Sequence, residues 1–243
     1  HSQLPARVGP IRSVRPMDAP LLGPLNPVFG NTMGARWVMA YVDRVAHLDD
    51  LGTLRVKARS GAYVLDSRRV APNHVFAQPA ELMALSRLRK PPAPYFTVAK
   101  EAVAASTAGG SAARSADIPY GPKWDVKWAY DAGKAIYLRS QPWGRHVMAD
   151  GRQIFATNVL VLRVGSDLGK IGTASGAPVP ILDLIDGSGS LVLLSQGRQV
   201  KGTWTKAGVN DPFVLTAKGK PLLLAPGNTW VEMPTPDAKV ILR

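Results

Sequence analysis

The chain is 243 residues long, enough for one large domain or two small ones, and 46% of its residues are hydrophobic against 19% charged. That balance excludes wholesale disorder, and the absence of cysteine excludes disulfides, thiolate zinc sites, thiol nucleophiles and iron–sulfur clusters. A net charge of +13 favours anionic partners such as nucleic acid, phospholipid headgroups or phosphorylated glycans.

In chain order, Ala6–Ile11 reads as a strand, with Arg7, Arg12 and Arg15 alternating among small and apolar residues in RVGPIRSVRP. No strand precedes it as a pairing partner. Pro16 and a short helix around Met17–Leu22 follow, then a brief strand in NPVFGN (Asn26–Asn31). Trp37, Val38, Tyr41, Val42 and Val45 recur at helical spacing, which predicts an amphipathic helix over Met33–Ala46. AYVLD (62–66) is strand-like, and Pro79 suits the first turn of a helix in PAELMALSRL. YFTVA (95–99) closes the series. These elements predict an α/β sandwich of modest size over residues 1–99.

Residues 100–120 are rich in Ala, Ser and Gly and poor in large apolar side chains, the composition of a flexible linker. From 121 to 243 the texture changes. Alternating runs around Asp131-Ala-Gly133 predict a hairpin. ATNVLVLRV reads as a buried strand, and further hairpins are expected to turn at Gln196-Gly197 and Lys218-Gly219, with another tight turn in PGNTW. The 23 glycines and 21 prolines agree with many turns and short strands. The predicted fold class is α+β, an α/β sandwich incomplete at its start followed by a mainly antiparallel β domain.

The basic residues are scattered, with the densest clusters at Arg55–Arg59 in RVKAR, at Arg68-Arg69 and at Arg87–Lys90 in RLRK. No block of five or six like charges and no zinc-finger, RRM or homeodomain pattern occurs, so no nucleic-acid partner is expected. No apolar run approaches the ~18 residues of a membrane span. Position 1 shows no signal-peptide pattern, so any targeting segment is expected upstream or already removed.

The stretches VGPIRSVRPMD, APNHVFA, WAYDAGKAIYLRSQPWGRHVMADGRQIFATNVLVL, GSGSLVLLSQGRQVKGTW and DPFVLTAKGKPLLLAPGNTWVEM resemble the YerB-like lipoprotein family, bacterial envelope proteins of unknown function. The match covers most of the chain and is more specific in the second half. It implies two domains split near residue 120, export, and a lipid anchor at the outer face of the cytoplasmic membrane. Family members carry a longer segment, with the anchor cysteine and first strands, upstream of the GPIRSVR motif. The chain is therefore expected to begin inside the N-terminal domain, through truncation or nicking, with its missing N-terminal fragment as a possible partner.

Two constellations could carry chemistry. Arg12 and Arg15, three residues apart at a strand end, can converge on one anion, because guanidinium forks suit phosphate and carboxylate. Alternatively they pair with acids such as Asp18 and pin the turn. Arg139, Arg145, His146 and Asp150 fall within twelve positions around Trp143. The arginines and Trp143 suit a sugar-phosphate face, and His146 with Asp150 could transfer a proton. The alternative is an ordinary turn at Pro142-Trp143-Gly144. Trp204, Asn210 and Asp211 form a third possible ligand face with Trp230, against an alternative in which the tryptophans are core.

His47 and His74 lack metal-ligand spacing, Asp49-Asp50, Asp183 and Asp186 make no EF-hand, and DGSGS (186–190) reads as a turn. No metal and no cofactor are expected. The reading is a non-catalytic envelope module that binds an anionic cell-wall polymer or an envelope protein of wall synthesis. Membrane contact is expected only through a lipid anchor outside this chain. The alternative is an enzyme acting on a phosphorylated wall polymer or lipid-phosphate precursor, with Arg12 and Arg15 clamping phosphate and His146 and Asp150 moving the proton.

Overall fold

Frequent prolines and glycines favour short elements, and in the computed structural model the helices and most strands among the described residues are short. It describes residues 4–121, 123–167, 179 and 181–243, apart from the side chains of Ala58 and Asp167. The chain divides into two compact units. The described residues of the first lie within 1–95, 167–185 and 208–212; those of the second lie within 96–166, 186–207 and 213–243. The fold is α+β with two domains.

In the first unit, helix α1 (Asp18–Leu22) precedes strand β1 (Val28–Phe29), which pairs in parallel with β2 (Asp49–Asp50). Between them runs α2 (Arg36–Val45), whose Val38 and Val42 pack with Val14 and Ala19 in one core cluster. Strands β3 (Tyr63–Leu65) and β4 (Val75–Ala77) form an antiparallel pair, and α3 (Pro79–Leu85) starts on its proline as expected. Leu82 of α3 packs with Ala62 and Ala77 in a second cluster.

The opening stretch does find a partner, later in the chain. Val8 exchanges both backbone hydrogen bonds with Ala77 at 2.8 and 2.9 Å, and the Ile11 N–H donates to the Val75 carbonyl. Beyond Pro10 the same segment turns to residues 32–33, through Thr32 N–H to Arg12 O and Val14 N–H to Met33 O. A partner distant in sequence leaves no local signal, which is why the stretch reads as unpaired.

Asp66 organises the β3–β4 connection. Its carboxylate accepts from Arg68 Nε and Nη2 at 3.0 Å and from the Arg68 backbone, with Arg69 and Arg7 at 3.8 and 3.9 Å. The Arg68 bonds hold the carboxyl at about 2, below its ordinary value. A depressed folded pKa gives stability that is present above the unfolded value and lost as pH falls through the folded one. Acid titration followed by circular dichroism should therefore show a loss between about pH 4 and pH 2, and Asp66→Asn should remove that component.

The second unit holds two sheets. One has the order β10 (Phe155–Ala156), β8 (Ile136–Gln141), β7 (Val126–Asp131), β6 (Ser115–Ile118), β19 (Ile241–Leu242), with β9 (Gly144–Arg145) also on β8. The other runs β17 (Lys220–Pro221), β16 (Val214–Ala217), β15 (Arg198–Lys206), β14 (Gly187–Ser195), β11 (Asn158–Leu162), β18 (Thr229–Glu232), with β5 (Ser111–Ala112) on β15. All five residues of β11 are buried. Val159, Val161 and Leu194 from this sheet meet Ala116, Trp128 and Tyr137 from the other in a shared core. Of the remaining short strands among the described residues, β12 (Ser166–Asp167) falls at the division between the units and β13 (Ile181–Leu182) lies in the stretch 167–185 of the first.

Three expectations are corrected here. Residues 102–118 are packed structure instead of a flexible linker: a 3-10 turn at Ala102–Ala104, then β5 and β6, with Ala105, Thr107, Ala113, Ala116 and Ile118 buried. Small side chains are what let this segment lie close. Thr107 and Ser195 hydroxyls meet at 2.6 Å inside, and a Cβ on Gly110 would collide with the Gln199 carbonyl. Residues 96–99 belong to the second unit, where Val98 bridges Leu224. Gly187–Ser190 begins β14 and is not a turn; Gly189 sits opposite Trp204, whose indole leaves no room for a Cβ.

Candidate functional site

Alternation along β7 and β8 places Trp128 opposite Arg139, both turned inward and both buried. Strand β18 runs parallel to β11, and its register sets Trp230 and Glu232 beside the core residues Val159 and Val161. These rows assemble a buried charged centre. Glu232, 4% exposed, accepts from Arg139 Nε at 3.2 Å and Trp128 Nε1 at 3.0 Å, and its other oxygen accepts from the Tyr120 hydroxyl at 2.7 Å. The Arg139 guanidinium lies 4.8 Å from the Trp230 ring centre, a cation–π contact. Burial, and then the Glu232 charge, push the Tyr120 phenol well above its ordinary value.

Arg139 Nη1 lies 2.7 Å from His146 Nδ1. A guanidinium can only donate, so Nδ1 accepts and the imidazole is neutral with its proton on Nε2. Burial and the neighbouring Arg139 charge hold the His146 pKa below its usual value, with Glu232 acting the other way.

A second feature lies at the end of the β7–β8 pair where β8 turns into β9. Trp143 in that turn and Trp124 just before β7 meet edge-to-face at 5.7 Å, and they are 64% and 60% exposed. Lys127, Ser140 and Arg145 are successive cross-strand partners, so they share the outer face of the sheet, opposite to Trp128 and Arg139. Arg145 Nε donates to Gln153 at 3.0 Å. The result is an exposed aromatic pair beside a basic row.

Comparison with known proteins places the chain. The N-terminal and C-terminal domain models of one family, a protein of unknown function designated DUF3048, match residues 1–91 and 116–231. The chain belongs to this family. It is also similar to the YerB protein from Bacillus subtilis, known from a crystal structure, at 19% identity and a TM-score of 0.78, over 99% of this chain and 79% of that one. At that identity the likeness shows a shared fold, in keeping with the YerB-like resemblance. No curated protein matches.

Within this YerB-like fold the expected site residues separate. Arg139 and His146 meet at 2.7 Å, whereas Arg145 of β9 lies on the opposite face and Trp143 is exposed in the turn between β8 and β9. Asp150 does not join them as a proton-transfer partner: its carboxylate is held by the Arg152 side chain at 2.7 Å and backbone at 3.0 Å, which keeps its pKa low. Arg12 donates to Asn73 at 2.8 Å, whereas Arg15 Nη1 folds back on the Ser13 and Val14 carbonyls. The two arginines serve different partners, and the Arg15 backbone N–H bonds Asp18 to fix the turn into α1.

The expected ligand face around Trp204 is corrected too. Trp204 is buried, donates to the Arg163 carbonyl at 3.0 Å and packs edge-on against Phe213. Asn210 belongs to the first unit, where it closes the end of α2 by donating to the Val45 carbonyl and accepting from His47 N–H. Asp211 accepts from the Gly208 N–H within a turn.

Sequence reasoning missed Trp124, Tyr120 and Glu232. The available signal was the spacing in TWVEM, where Trp230 and Glu232 share a face, so a buried Trp implies a buried Glu in need of a cation. Among the described residues, no group of three or more His, Asp or Glu is placed to hold a metal, and no helix is long and apolar enough to cross a membrane.

Proposed function

We propose that this protein is a non-catalytic module of the bacterial cell envelope whose second unit binds an anionic wall glycan through Trp124, Trp143, Arg145 and Lys127. The observation that carries this reading is the exposed indole pair. Leaving two large aromatic rings in water forgoes the stabilisation that burial gives, and such patches mark interaction surfaces. Indole faces stack on the C–H faces of sugars, and the adjacent basic row supplies the countercharge for phosphate or carboxylate groups.

The engagement of His146 by Arg139 and of Asp150 by Arg152 favours binding over catalysis, since neither group is set up to relay a proton to the other. Location at the outer face of the cytoplasmic membrane, through a lipid tether on the full-length protein, rests on the family resemblance. Fractionation of the native host, with the protein followed by immunoblot, tests that part; recovery in the cytosolic fraction would contradict it.

Binding is tested with purified cell walls before and after removal of their anionic polymer. Wild-type protein is expected to sediment with the intact walls and to lose most binding on stripped ones. Trp143→Ala should weaken binding about tenfold, which is a loss of about 1.4 kcal/mol at an aromatic anchor. Undiminished binding by Trp143→Ala would overturn the proposal.

A further inference from the structure

Arg55, Lys57 and Arg59 of one basic run and Arg87, some thirty residues on, line one cleft of the first unit. The cleft has a volume of about 740 Å³ and is lined by Asp49, Asp50, Arg55, Lys57, Arg59 and Arg87 among others. Its floor and turn are fixed by internal bonds. The Asp50 carboxylate accepts from Asn31 Nδ2 at 2.7 Å, Gly52 N–H at 2.9 Å and Arg55 Nε at 3.0 Å. Arg55 is also bound to Asp43. Asp49 accepts from the Ser86 hydroxyl at 2.5 Å and the Arg87 N–H at 3.0 Å.

Both carboxylates of the cleft therefore accept hydrogen bonds, and Arg55 is paired with Asp50 and Asp43. The side chains of Lys57, Arg59 and Arg87 make no ion pair with any other described residue. Arg55, Lys57, Arg59 and Arg87 outnumber Asp49 and Asp50 in the lining, which leaves an excess of positive charge around one concavity, and an anion entering beside Lys57, Arg59 and Arg87 reduces their mutual repulsion. The two guanidinium forks suit a tetrahedral oxyanion better than a planar neutral group.

We propose that this cleft is a separate binding site for a phosphate or phosphodiester group, held by Lys57, Arg59 and Arg87. It stands independently of the glycan surface on the second unit. The shared chemistry is the phosphate oxyanion, whether on a free polyphosphate or on a phosphodiester-linked polymer.

Titration calorimetry of the full chain with tripolyphosphate, and separately with a glycerol-phosphate oligomer, tests the site and tells the two sources apart. Wild-type protein is expected to bind at least one of them, more weakly at high salt because the contacts are charged and exposed. Arg59→Ala/Arg87→Ala should weaken that binding at least tenfold, and Arg59→Lys/Arg87→Lys should recover part of it. Lys220→Ala/Lys239→Ala removes the same charge from exposed positions outside the cleft and should change binding less than twofold. Absence of binding to both probes, or equal weakening in the two alanine pairs, would overturn the proposal. Trp143→Ala should leave tripolyphosphate binding intact, so failure of the glycan surface is distinguishable from failure of this cleft.

Discussion

Glu232→Ala is expected to lower the unfolding free energy by about 3–5 kcal/mol, the loss typical of breaking a buried ion pair from one side. Three donors converge on that carboxylate, from Arg139, Trp128 and Tyr120, and removing it leaves the buried Arg139 and Trp128 without this acceptor. Arg139 fares worst, because a guanidinium cannot shed its proton to escape the desolvation penalty. The double replacement Arg139→Met/Glu232→Leu removes both charges and should regain much of the stability. Urea unfolding of the single and double variants gives both numbers. A loss under about 1 kcal/mol for Glu232→Ala would mean that the pair behaves like a solvated surface contact.

Trp204→Ala should fall in the same range, about 3–5 kcal/mol, for a different reason. Here the loss is packing: the indole is 1% exposed, lies edge-on to Phe213 at 5.6 Å, and fills the space that Gly189 leaves on the paired strand. Its N–H also satisfies the Arg163 carbonyl, so Trp204→Phe should recover most of the packing but leave that acceptor unpaired. Gly189→Ala is expected to destabilise as well, since its new methyl group meets the Trp204 indole nitrogen at 2.6 Å. Were Trp204→Ala to unfold at the wild-type denaturant midpoint, Trp204 would have to be a surface residue.

The parts of the fold that were legible are those encoded locally. Gln196-Gly197 and Lys218-Gly219 take positive φ at both positions, 55° and 69° and then 50° and 74°, the backbone that a two-residue hairpin demands. The helical spacing of Val38 and Val42 likewise located the buried face of α2. What failed depends on partners distant in sequence. Ala113 and Ala116 are fully buried because Tyr137, Trp128 and their neighbours fill the space around them, yet composition alone made their segment a linker. The strand-like opening at Val8 pairs with Ala77, and no local pattern reveals that.

The site was half legible for the same reason. Trp143, Arg139, Arg145 and His146 sit in one short run, so their proximity follows from the hairpin. The run does not reveal that Arg139 points inward while Arg145 points outward, which the strand alternation then decides. That division separates a structural charge pair from a binding surface. Asp150 looked like a partner for His146 on spacing alone, and Arg152, two residues on, holds it instead.

The most direct test is to titrate 15N-labelled protein with soluble anionic wall glycan and follow the indole N–H signals of its six tryptophans by NMR. Trp124 and Trp143 should shift in a saturable manner, while the buried Trp128 and Trp204 stay in place. Unmoved Trp124 and Trp143 signals at saturating glycan would contradict the binding surface proposed on the second unit.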